Sequence, residues 1–578
     1  MMKHQITNVK LKDLIVRHAW ISSVALMDQG NMQEIVLAYV RVLQECGRKK
    51  NLEDGKRVHA RILHQRLESD IIVASTLVSM YAKCGGLVLA RQVFDIMPRK
   101  GLVAVNALAS GYVKQGRSEE ALDLFQQMRV GGIEPDGLSF VAMLNACAHL
   151  SALEQGKHIH AELEKAGYES NLFVSNALID MYSKCRSLEN ALRVFEGMRR
   201  RDVVSWNAII AGCVKHGHEK EAIELFQDMK QEGLKPDGFT FVSMLNACAS
   251  LAAIELGKQI HVDSIEAGLG SNCFVAAALV DMYAKCRCLK DAHQVFDRMH
   301  KPTAAAWTAM ISGYVRNGQA EEALKLSQKM QQNGFKPDAV TYVTMLNACA
   351  TLAALEQGRQ IHGELIRDGF HLDLFVSNAL IDMYAKCGSL REARKVFNSM
   401  RRRNVVSWTA MILGYAIHGN GREVIQLFRR MQEEHVEPNE VTFVGVLSAC
   451  SRLGLLDEGL QFFRAMIEDY GVTALSEHYG CMVDLYGRAG HLGQANDFIQ
   501  KMPIPPDTRS WTALLAACKM LHNLDLAEGI AEHALKLEPQ QAGSYVLLSD
   551  IYASTGRWDK KHQLRKMLEQ RAVTQDSG

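Results

Sequence analysis

The stretch SNALIDMYSKC at residues 175–185 returns almost unchanged as SNALIDMYAKC at residues 377–387. A second phrase, LNACA, occurs at residues 144–148, 245–249 and 346–350, so that successive copies are 101 residues apart. The first phrase returns after twice that distance. A period this regular indicates an array of repeated structural units rather than several unrelated globular domains.

Each 101-residue period divides into sub-units of 35, 35 and 31 residues, and each sub-unit has the pattern of two short helices. In the sub-unit at 203–237, Ser205 is suited to cap a first helix that continues to about Lys215. A second helix is predicted over Glu219–Glu232, with Gly233 as its stop. Its apolar residues share one helix face: Ala222, Leu225, Phe226 and Met229. Because one hairpin cannot bury this face alone, the sequence predicts an all-α fold of hairpins stacked into a superhelical solenoid.

The composition is that of a folded protein without a strong charge bias. Hydrophobic residues make up 48% and charged residues 22% of the chain, and 66 lysines and arginines nearly balance 64 aspartates and glutamates. This balance excludes a global cationic field, so any nucleic-acid surface must be a local stripe. No apolar run is long enough to predict a membrane span.

Fourteen cysteines could suggest disulfides or a metal site, but nine of them follow the 101-residue period. The two series are Cys46, Cys147, Cys248, Cys349 and Cys450, and Cys84, Cys185, Cys286 and Cys387. No pair has the C-x-x-C spacing of a zinc site. The sequence therefore predicts small buried hydrophobes within helices, a reducing compartment, and neither a metal nor another cofactor.

These units resemble the repeats of plant organellar pentatricopeptide repeat proteins of the PLS subclass, in which 35-residue P motifs alternate with long L and short S variants. The resemblance covers residues 36–507, and residues 508–578 resemble the E1 and E2 motifs of editing factors. Residues 1–35 are predicted to be a degenerate or partial repeat. By this resemblance P motifs start at 102, 203, 304 and 405, L motifs at 36, 137, 238, 339 and 440, and S motifs at 71, 172, 273, 374 and 476. The resemblance implies a right-handed superhelical solenoid of helix-turn-helix repeats.

In that family the fifth and last residues of a motif together select one base of a single RNA strand, and the second residue packs against the base face. The resemblance assigns uridine to three pairs: Asn106 with Asp136, Asn176 with Asp202, and Asn207 with Asp237. It assigns guanine to Thr308 with Asp338, a pyrimidine to Asn378 with Asn404, and adenine to Thr409 with Asn439. It assigns contacts with base faces to Val103, Val204, Ala305 and Val406, and in S motifs to Phe173, Phe274 and Phe375.

Asparagine offers a donor and an acceptor to a base, whereas the smaller threonine hydroxyl leaves room for a purine. In the family's parallel orientation, the motifs from 102 to 439 prefer 5′-U?UU??G?YA-3′, where a question mark stands for a motif without a readable pair. The pairs Ser75 with Gly101 and Ala277 with Thr303 match no readable combination. L motifs carry a valine at the fifth position, which cannot hydrogen-bond a base: Val141, Val242, Val343 and Val444.

Structural alternatives exist for each of these residues. Asn and Asp at motif ends are also favoured as helix caps and turn formers, and we expect capping to be part of each aspartate's role. The triplets at 160–162 and 362–364 fit the H-x-E half of a zinc deaminase signature, but the P-C-x-x-C half is absent. We interpret them as solvated residues on a structural helix. The arginines at 199–201 and 401–403 could contact phosphates or form a solvated face.

The family's deaminase domain would follow the E motifs, and the sequence ends at Gly578, so we predict a non-catalytic protein. Our interpretation is a sequence-specific RNA-binding factor for organellar transcripts that directs C-to-U editing and recruits a deaminase in trans through residues 508–578. The alternatives are a splicing or transcript-stability factor and a protein-binding scaffold of the tetratricopeptide type. The resemblance implies a mitochondrial or chloroplast location, although residues 1–30 make a poor transit peptide.

Overall fold

The computed structural model describes residues 32–537, 542–554 and 556–564, and every regular element within these ranges is a helix. They belong to two compact units, Met1–His300 and Lys301–Gly578. The degenerate repeat predicted at 1–35 lies outside the described residues except for its last four. No helix in the described ranges is long and apolar enough to cross a membrane.

Helices follow one another as hairpins in both units. In the first unit the pairs are Met32–Lys49 with Leu52–His64, Ile71–Lys83 with Leu87–Ile96, Leu102–Lys114 with Ser118–Val130, Gly137–Leu150 with Leu153–Lys165, Leu172–Lys184 with Leu188–Gly197, Val203–Lys215 with Glu219–Gln231, Gly238–Leu251 with Ile254–Glu266, and Cys273–Lys285 with Leu289–Arg298. In the second unit they are Ala304–Arg316 with Ala320–Gln332, Ala339–Leu352 with Leu355–Arg367, Leu374–Lys386 with Leu390–Ser399, Val405–Ile417 with Gly421–Glu433, Glu440–Leu453 with Leu456–Glu468, Ser476–Arg488 with Leu492–Gln500, and Thr508–Met520 with Leu524–Leu537. Phe370–Leu372 forms a short 3₁₀ turn, and Ala542–Ser554 follows the last pair.

Each unit is a stack of these hairpins. The first helix of a hairpin packs against its own second helix and against the first helix of the hairpin that follows in the same unit. The core between them is built from fully buried side chains such as Trp206, Phe241, Tyr342 and Phe397. Burial between neighbours is how repeated hairpins cover the apolar stripe that one of them leaves exposed. The predicted all-α class and the stacking of hairpins are confirmed.

The hairpin at 203–237 shows how the local sequence sets these boundaries. Asp202, not Ser205, caps the first helix: its side chain accepts from the Ser205 backbone N–H, and the Ser205 hydroxyl accepts from the Asp202 backbone N–H. The prediction that Ser205 is the cap was therefore wrong, because this capping box places serine three residues inside the helix. The second helix spans Glu219–Gln231, and Gly233 follows it with a φ of +76°, which favours glycine.

Glycine lets the first helices of neighbouring S and P motifs approach closely. A Cβ on Gly414 would lie 2.6 Å from the Cβ of Ala385 on the preceding S motif, and a Cβ on Gly111 would lie 3.0 Å from that of Ala82. Neither alanine Cβ can rotate away from such a contact. Close packing at this step fixes the spacing between the two helices that carry consecutive candidate reading residues.

The cysteines of the repeat occupy two different environments. Cys147, Cys248, Cys349 and Cys450 are fully buried, and burial raises the pKa of the Cys147 thiol to about 12. These residues confirm the prediction of small buried hydrophobes. Cys84, Cys185, Cys286 and Cys387 are only partly buried and stand at the C-terminal cap of a helix rather than inside it. For this second series the predicted position was wrong, because the first helix of the S motif ends one residue earlier, at a lysine.

A histidine and a tyrosine link each of the first four L motifs to the following S motif. His59, His160, His261 and His362 place Nδ1 2.8 to 2.9 Å from the hydroxyl of Tyr81, Tyr182, Tyr283 and Tyr384, respectively. The H-x-E triplets at 160–162 and 362–364 thus take part in a structural contact, and their histidines are partly buried rather than solvated as predicted. Burial lowers the pKa of all four histidines below the usual value, because it disfavours the charged ring.

These four pairs predict a loss of stability in acid. The unfolded chain binds protons at these histidines more readily than the folded chain, because the pKa of each histidine is lower in the folded state. The contribution of the neutral histidines to the free energy of unfolding is therefore fully present above about pH 6.5 and is lost as the pH falls toward the lowered pKa. We expect the thermal unfolding midpoint to decrease between about pH 7.5 and about pH 5.5. Replacing the four histidines by glutamine should make this decrease smaller, because glutamine does not titrate.

The control is a variant in which the exposed His64, His158 and His371 are replaced by glutamine, which should keep the pH dependence of the wild type. An equal decrease in the wild type and in the variant without His59, His160, His261 and His362 would contradict the assignment.

Candidate nucleic-acid interface

The second and fifth residues of each P motif lie on one face of a first helix. The helices of these motifs begin at Leu102, Val203, Ala304 and Val405, so the second and fifth residues are three positions apart in the first two turns. In the hairpin that begins at Leu102, these two residues are Val103 and Asn106.

In four motifs the structure joins the fifth residue to the last residue by a hydrogen bond. The Nδ2 of Asn106 donates to Oδ1 of Asp136 over 2.9 Å, and Asn207 donates to Asp237 over the same distance. The bonds from Asn176 to Asp202 and from Asn378 to Asn404 are longer, at 3.3 Å each. Residues about thirty positions apart are thus brought together as the resemblance implies.

A third group, which the sequence analysis did not connect with these pairs, lies beside each motif end. It is a fully buried hydroxyl three residues after the motif end: Ser139, Ser205, Thr240, Thr341, Ser407 and Thr442. The Ser139 hydroxyl donates to Oδ1 of Asn106 over 2.8 Å, and Thr240 donates to Asn207 over 2.6 Å. In these two motifs one amide atom faces the hydroxyl and the other faces the motif end, which fixes the orientation of the amide. The Ser205 hydroxyl contacts Asp202 but not Asn176, whose Oδ1 has no partner within the described ranges. The signal was present in the sequence as the D-x-x-S/T or N-x-x-S/T pattern of a capping box.

The threonine motifs have the opposite hydrogen-bond polarity. Oγ1 of Thr341 donates to Oδ1 of Asp338 over 2.7 Å and lies 2.8 Å from Oγ1 of Thr308. Because a hydroxyl carries one hydrogen and that of Thr341 is used, Thr308 donates in this contact and keeps only acceptor capacity. Thr409, Thr442 and Asn439 repeat the arrangement at 2.7 and 2.8 Å.

All six motif-end residues also cap a helix, as the alternative interpretation expected: Asp136, Asp202, Asp237, Asp338, Asn404 and Asn439. In each of them Oδ1 accepts the capping bond and lies 2.7 to 3.1 Å from the buried hydroxyl oxygen. Where the fifth residue is Asn106, Asn207 or Asn378, the single hydroxyl hydrogen is shared between this Oδ1 and that of the asparagine. Within the described ranges, the second terminal atom has no partner. It is a carboxylate oxygen, an acceptor, in the four aspartates and an amide nitrogen, a donor, in the two asparagines.

The capping network keeps the carboxylates of Asp136 and Asp202 charged. Burial alone raises the pKa of Asp136, but hydrogen bonds from the backbone and hydroxyl of Ser139 and from Asn106 outweigh it, so the pKa is below its usual value. The pKa of Asp202 is lowered in the same way by Ser205 and Asn176. Both groups therefore offer a full negative charge at neutral pH.

Apolar side chains protrude at the second position. Val103, Val204 and Val406 are more than half exposed, Ala305 is exposed, and Phe173, Phe274 and Phe375 are about three-quarters exposed. The sequence analysis did not single out the same position in L motifs, which exposes Leu138, Phe239, Val340 and Val441. The sequence could have indicated these residues, because each is apolar but does not follow the spacing of the residues on the buried helix face.

A groove of about 790 Å³ runs along this face in the first unit. Its lining brings together Val103, Asn106, Asp136 and Leu138 with lysines that include Lys83 and Lys114. Candidate base contacts and cations thus share one concave surface, which is a suitable geometry for a single strand.

The cations recur at the last residue of first helices and were also missed from the sequence. In P motifs they are Lys114, Lys215 and Arg316, none of which has an ion-pair partner within the described ranges. In S motifs Lys184, Lys285 and Lys386 each form an ion pair of 2.7 Å with an aspartate one turn earlier. The cations available to a phosphate are therefore those of the P motifs together with Lys83 of the first S motif, which lines the groove and has no ion-pair partner within the described ranges.

Two of the clustered arginines do not face this groove. The Arg201 guanidinium stacks on the Phe195 ring, donates to the Phe195 carbonyl and pairs with Glu232 at 3.1 Å, and Arg403 makes the same contacts with Phe397 and Glu434. Their position close to the end of a second helix makes them structural. These contacts account for both residues within the fold, and contact with phosphates stays a prediction.

Comparison with known proteins agrees with this architecture. The family model described as PPR repeat family matches residues 100–149, 201–250, 302–351 and 403–452, and that described as PPR repeat matches 72–102, 173–203, 277–301, 375–405, 441–470 and 477–503. The model described as E motif matches residues 521–578.

The curated relatives include three pentatricopeptide repeat-containing proteins of Arabidopsis thaliana. A chloroplastic one is 38% identical over 94% of this chain and 67% of its own length, a mitochondrial one is 37% identical over 100% and 82%, and a third is 43% identical over 93% and 78%. Across the curated relatives, the chain spans from 53% to 82% of their length.

Solved structures show the same fold. The maize pentatricopeptide repeat protein PPR10 has a TM-score of 0.55 at 18% identity, with 98% of this chain and 94% of PPR10 covered. A structure of PPR10 in complex with an 18-nt psaJ RNA element has a TM-score of 0.53 at 16% identity, with 98% and 96% covered. The chain therefore belongs to the pentatricopeptide repeat family, with an E motif after its repeats.

Proposed function

We propose that this protein binds a defined single-stranded sequence in organellar RNA, and that it directs C-to-U editing by recruiting a deaminase in trans through residues 508–578. The observation that carries the RNA proposal is the network of a fifth residue, a motif end and a buried hydroxyl in six motifs. In five of these motifs the hydroxyl contacts the fifth residue directly and orients its side chain before a ligand arrives, which lowers the entropic cost of recognition.

Hydrogen bonding in this network accounts for the uridine assignments. After its internal bonds, Asn106 keeps one amide hydrogen and one carbonyl lone pair, and Asp136 keeps one free carboxylate oxygen. The Watson–Crick edge of uracil presents one N–H between two carbonyl oxygens, so it can donate to this site and accept from it. The same argument holds for Asn207 with Asp237.

The threonine motifs fit purines for the complementary reason. Thr308 and the free oxygen of Asp338 are both acceptors, and the guanine edge presents two neighbouring N–H groups. In the last P motif Thr409 is an acceptor and Nδ2 of Asn439 is a donor, which matches the amino group and ring nitrogen of adenine. Chemistry at the sites thus supports the proposed order 5′-U?UU??G?YA-3′.

The proposed role in editing is more specific than RNA binding and has its own support. An E motif at 521–578 supports it over splicing or transcript stability, and relatives named chloroplastic and mitochondrial support an organellar location. The network favours RNA over a protein-binding scaffold, because a scaffold needs no oriented pair of hydrogen-bonding groups on every P motif. Catalysis is assigned to the recruited deaminase.

The editing role is tested by sequencing organellar cDNA from plants that lack this protein. We expect one or a few C-to-U sites, each downstream of a match to U?UU??G?YA, to remain unedited. An unchanged editing profile with altered splicing or transcript abundance would favour the alternative role in RNA processing.

Sequence reading is tested at the seventh nucleotide with the variant Thr308→Asn. We expect the preferred base to change from guanine to uridine, each preferred by about tenfold, because asparagine beside Asp338 recreates the arrangement of Asn207 beside Asp237. Fluorescence anisotropy with RNAs that differ only at this nucleotide measures the change. An RNA altered at the eighth nucleotide is the control, and an unchanged preference for guanine would contradict the assignment.

Phosphate contacts are tested by the salt dependence of binding. Replacing Lys114, Lys215 and Arg316 by alanine should weaken binding to matched and scrambled RNA equally and reduce the slope of log K against log salt by about 2. Replacing the paired Lys184, Lys285 and Lys386 is the matched control and should change the slope less. Equal effects of the two triple variants would show that the ion pairs do not determine which cations contact RNA.

A further inference from the structure

L motifs carry an amide at one position that the fold does not use. Their ninth residues are Gln44, Asn145, Asn246 and Asn347, and the last L motif has Ser448 instead. Each lies inside a first helix, and asparagine there is less favourable than alanine by about 0.7 kcal/mol. Within the described ranges, none of the four amides has a hydrogen-bond partner, and three of them are exposed. Neither capping nor packing therefore explains the repeated amide.

The groove in the first unit shows where this amide lies. Asn145 lines it together with Leu138 and Val141 of its own helix and with Asn106 and Asp136 of the preceding reading pair. An α-helix rises about 1.5 Å per residue, so the ninth residue is about 6 Å further along the helix than the fifth and about 6 Å before the thirteenth. It therefore lies between the level of the base-reading residues and that of the cations.

The other motif types do not share this arrangement. At the ninth position three S motifs carry Asp180, Asp281 and Asp382, each of which is paired with a lysine, and the first S motif has Ser79. The P motifs have Ser110, Ala211, Ser312 and Leu413, none of which is an amide. In L motifs the second and fifth residues are apolar and the thirteenth is not lysine or arginine in three of the motifs, which have His149, Ser250 and Thr351. These three L motifs thus offer a neutral amide at the ninth position and have no lysine or arginine one turn later. This combination suits a neutral ligand group rather than a phosphate.

We propose that Asn145, Asn246 and Asn347 bind the ribose 2′-hydroxyl of the nucleotides that face the L motifs, so that these motifs select RNA over DNA without reading a base. The inference rests on the proposed RNA-binding function. A 2′-hydroxyl is both a donor and an acceptor, as is an amide, and it lies between base and phosphate in a nucleotide. The exposed Leu138, Phe239 and Val340 contact the base faces of the same nucleotides.

The experiment measures the affinity of the full chain for the ten-nucleotide RNA and for two versions with 2′-deoxy sugars. One version is deoxy at nucleotides two, five and eight, which face the L motifs, and the other is deoxy at nucleotides one, four and seven, which face P motifs. The variant Asn145→Ala/Asn246→Ala/Asn347→Ala is compared with the wild type, after thermal unfolding has shown that both are folded. Alanine is chosen because it favours the helix.

For the wild type we expect about a tenfold loss of affinity with the first deoxy version and little loss with the second, in line with three lost hydrogen bonds of modest net strength. The triple variant should bind the all-RNA strand about tenfold more weakly and lose nothing further with the first version. Equal sensitivity of wild type and variant to deoxy sugars at two, five and eight would overturn the inference.

A gain of sensitivity provides a second, independent test. Ser448→Asn restores the amide in the last L motif, and it should make binding sensitive to a 2′-deoxy sugar on the nucleotide after the adenine, which the wild type tolerates. No gain in this folded variant would count against the inference. If the wild type does not distinguish U?UU??G?YA from a scrambled RNA, the proposed RNA-binding function is wrong. If it distinguishes them but is insensitive to 2′-deoxy sugars, only the present inference is wrong.

Discussion

At six hairpin junctions one oxygen atom of the motif-end residue both caps the next helix and holds the network of the candidate reading residue. Oδ1 of Asp136 accepts the backbone N–H of Ser139 in the first turn of the next helix and the amide of Asn106, and it lies 2.9 Å from the buried Ser139 hydroxyl. A helix cap contributes about 1 kcal/mol, so each junction is stabilised by the same contact that fixes the reading side chain. Orientation of the amide is therefore a consequence of folding and needs no separate element of structure.

The repeat period and the hairpins could be predicted from sequence because they depend on local spacing. Residues 203–237 contain the stop glycine, the amphipathic second helix and the short first helix, and each prediction needed only a few neighbouring residues. The choice of Ser205 as cap was wrong because a capping box contains two suitable residues, and only the start of the helix distinguishes the cap from its partner. The partly buried Cys185 was misplaced for a similar reason: one residue decides whether a side chain is inside a helix or at its end.

The pairing of Asn106 with Asp136 could not be derived from periodicity, since it joins residues that are distant in the chain, and it entered through resemblance to a family. Geometry then supplied what the resemblance lacked: the buried hydroxyl and the direction of each hydrogen bond. The sequence analysis missed the cations at the ends of the first helices, because a net charge of +2 does not show which positive charges lack a neighbouring negative charge. Lys184 is offset by Asp180 on the same helix, whereas Lys114 has no such neighbour, so the available charge depends on pairing rather than on composition.

The shared oxygen also limits the information that the array can hold. A residue at a motif end must first begin a helix, and nearly all of these positions hold Asp, Asn, Thr or Gly, including Asp70, Gly101, Asn171, Asn272 and Thr303; Leu475 is an exception. A larger or more distinctive side chain could separate the bases better but would leave helix N–H groups without an acceptor. The residue types available at a motif end are therefore limited mainly to those that can begin a helix. A substitution at this position must preserve folding before it can change base recognition.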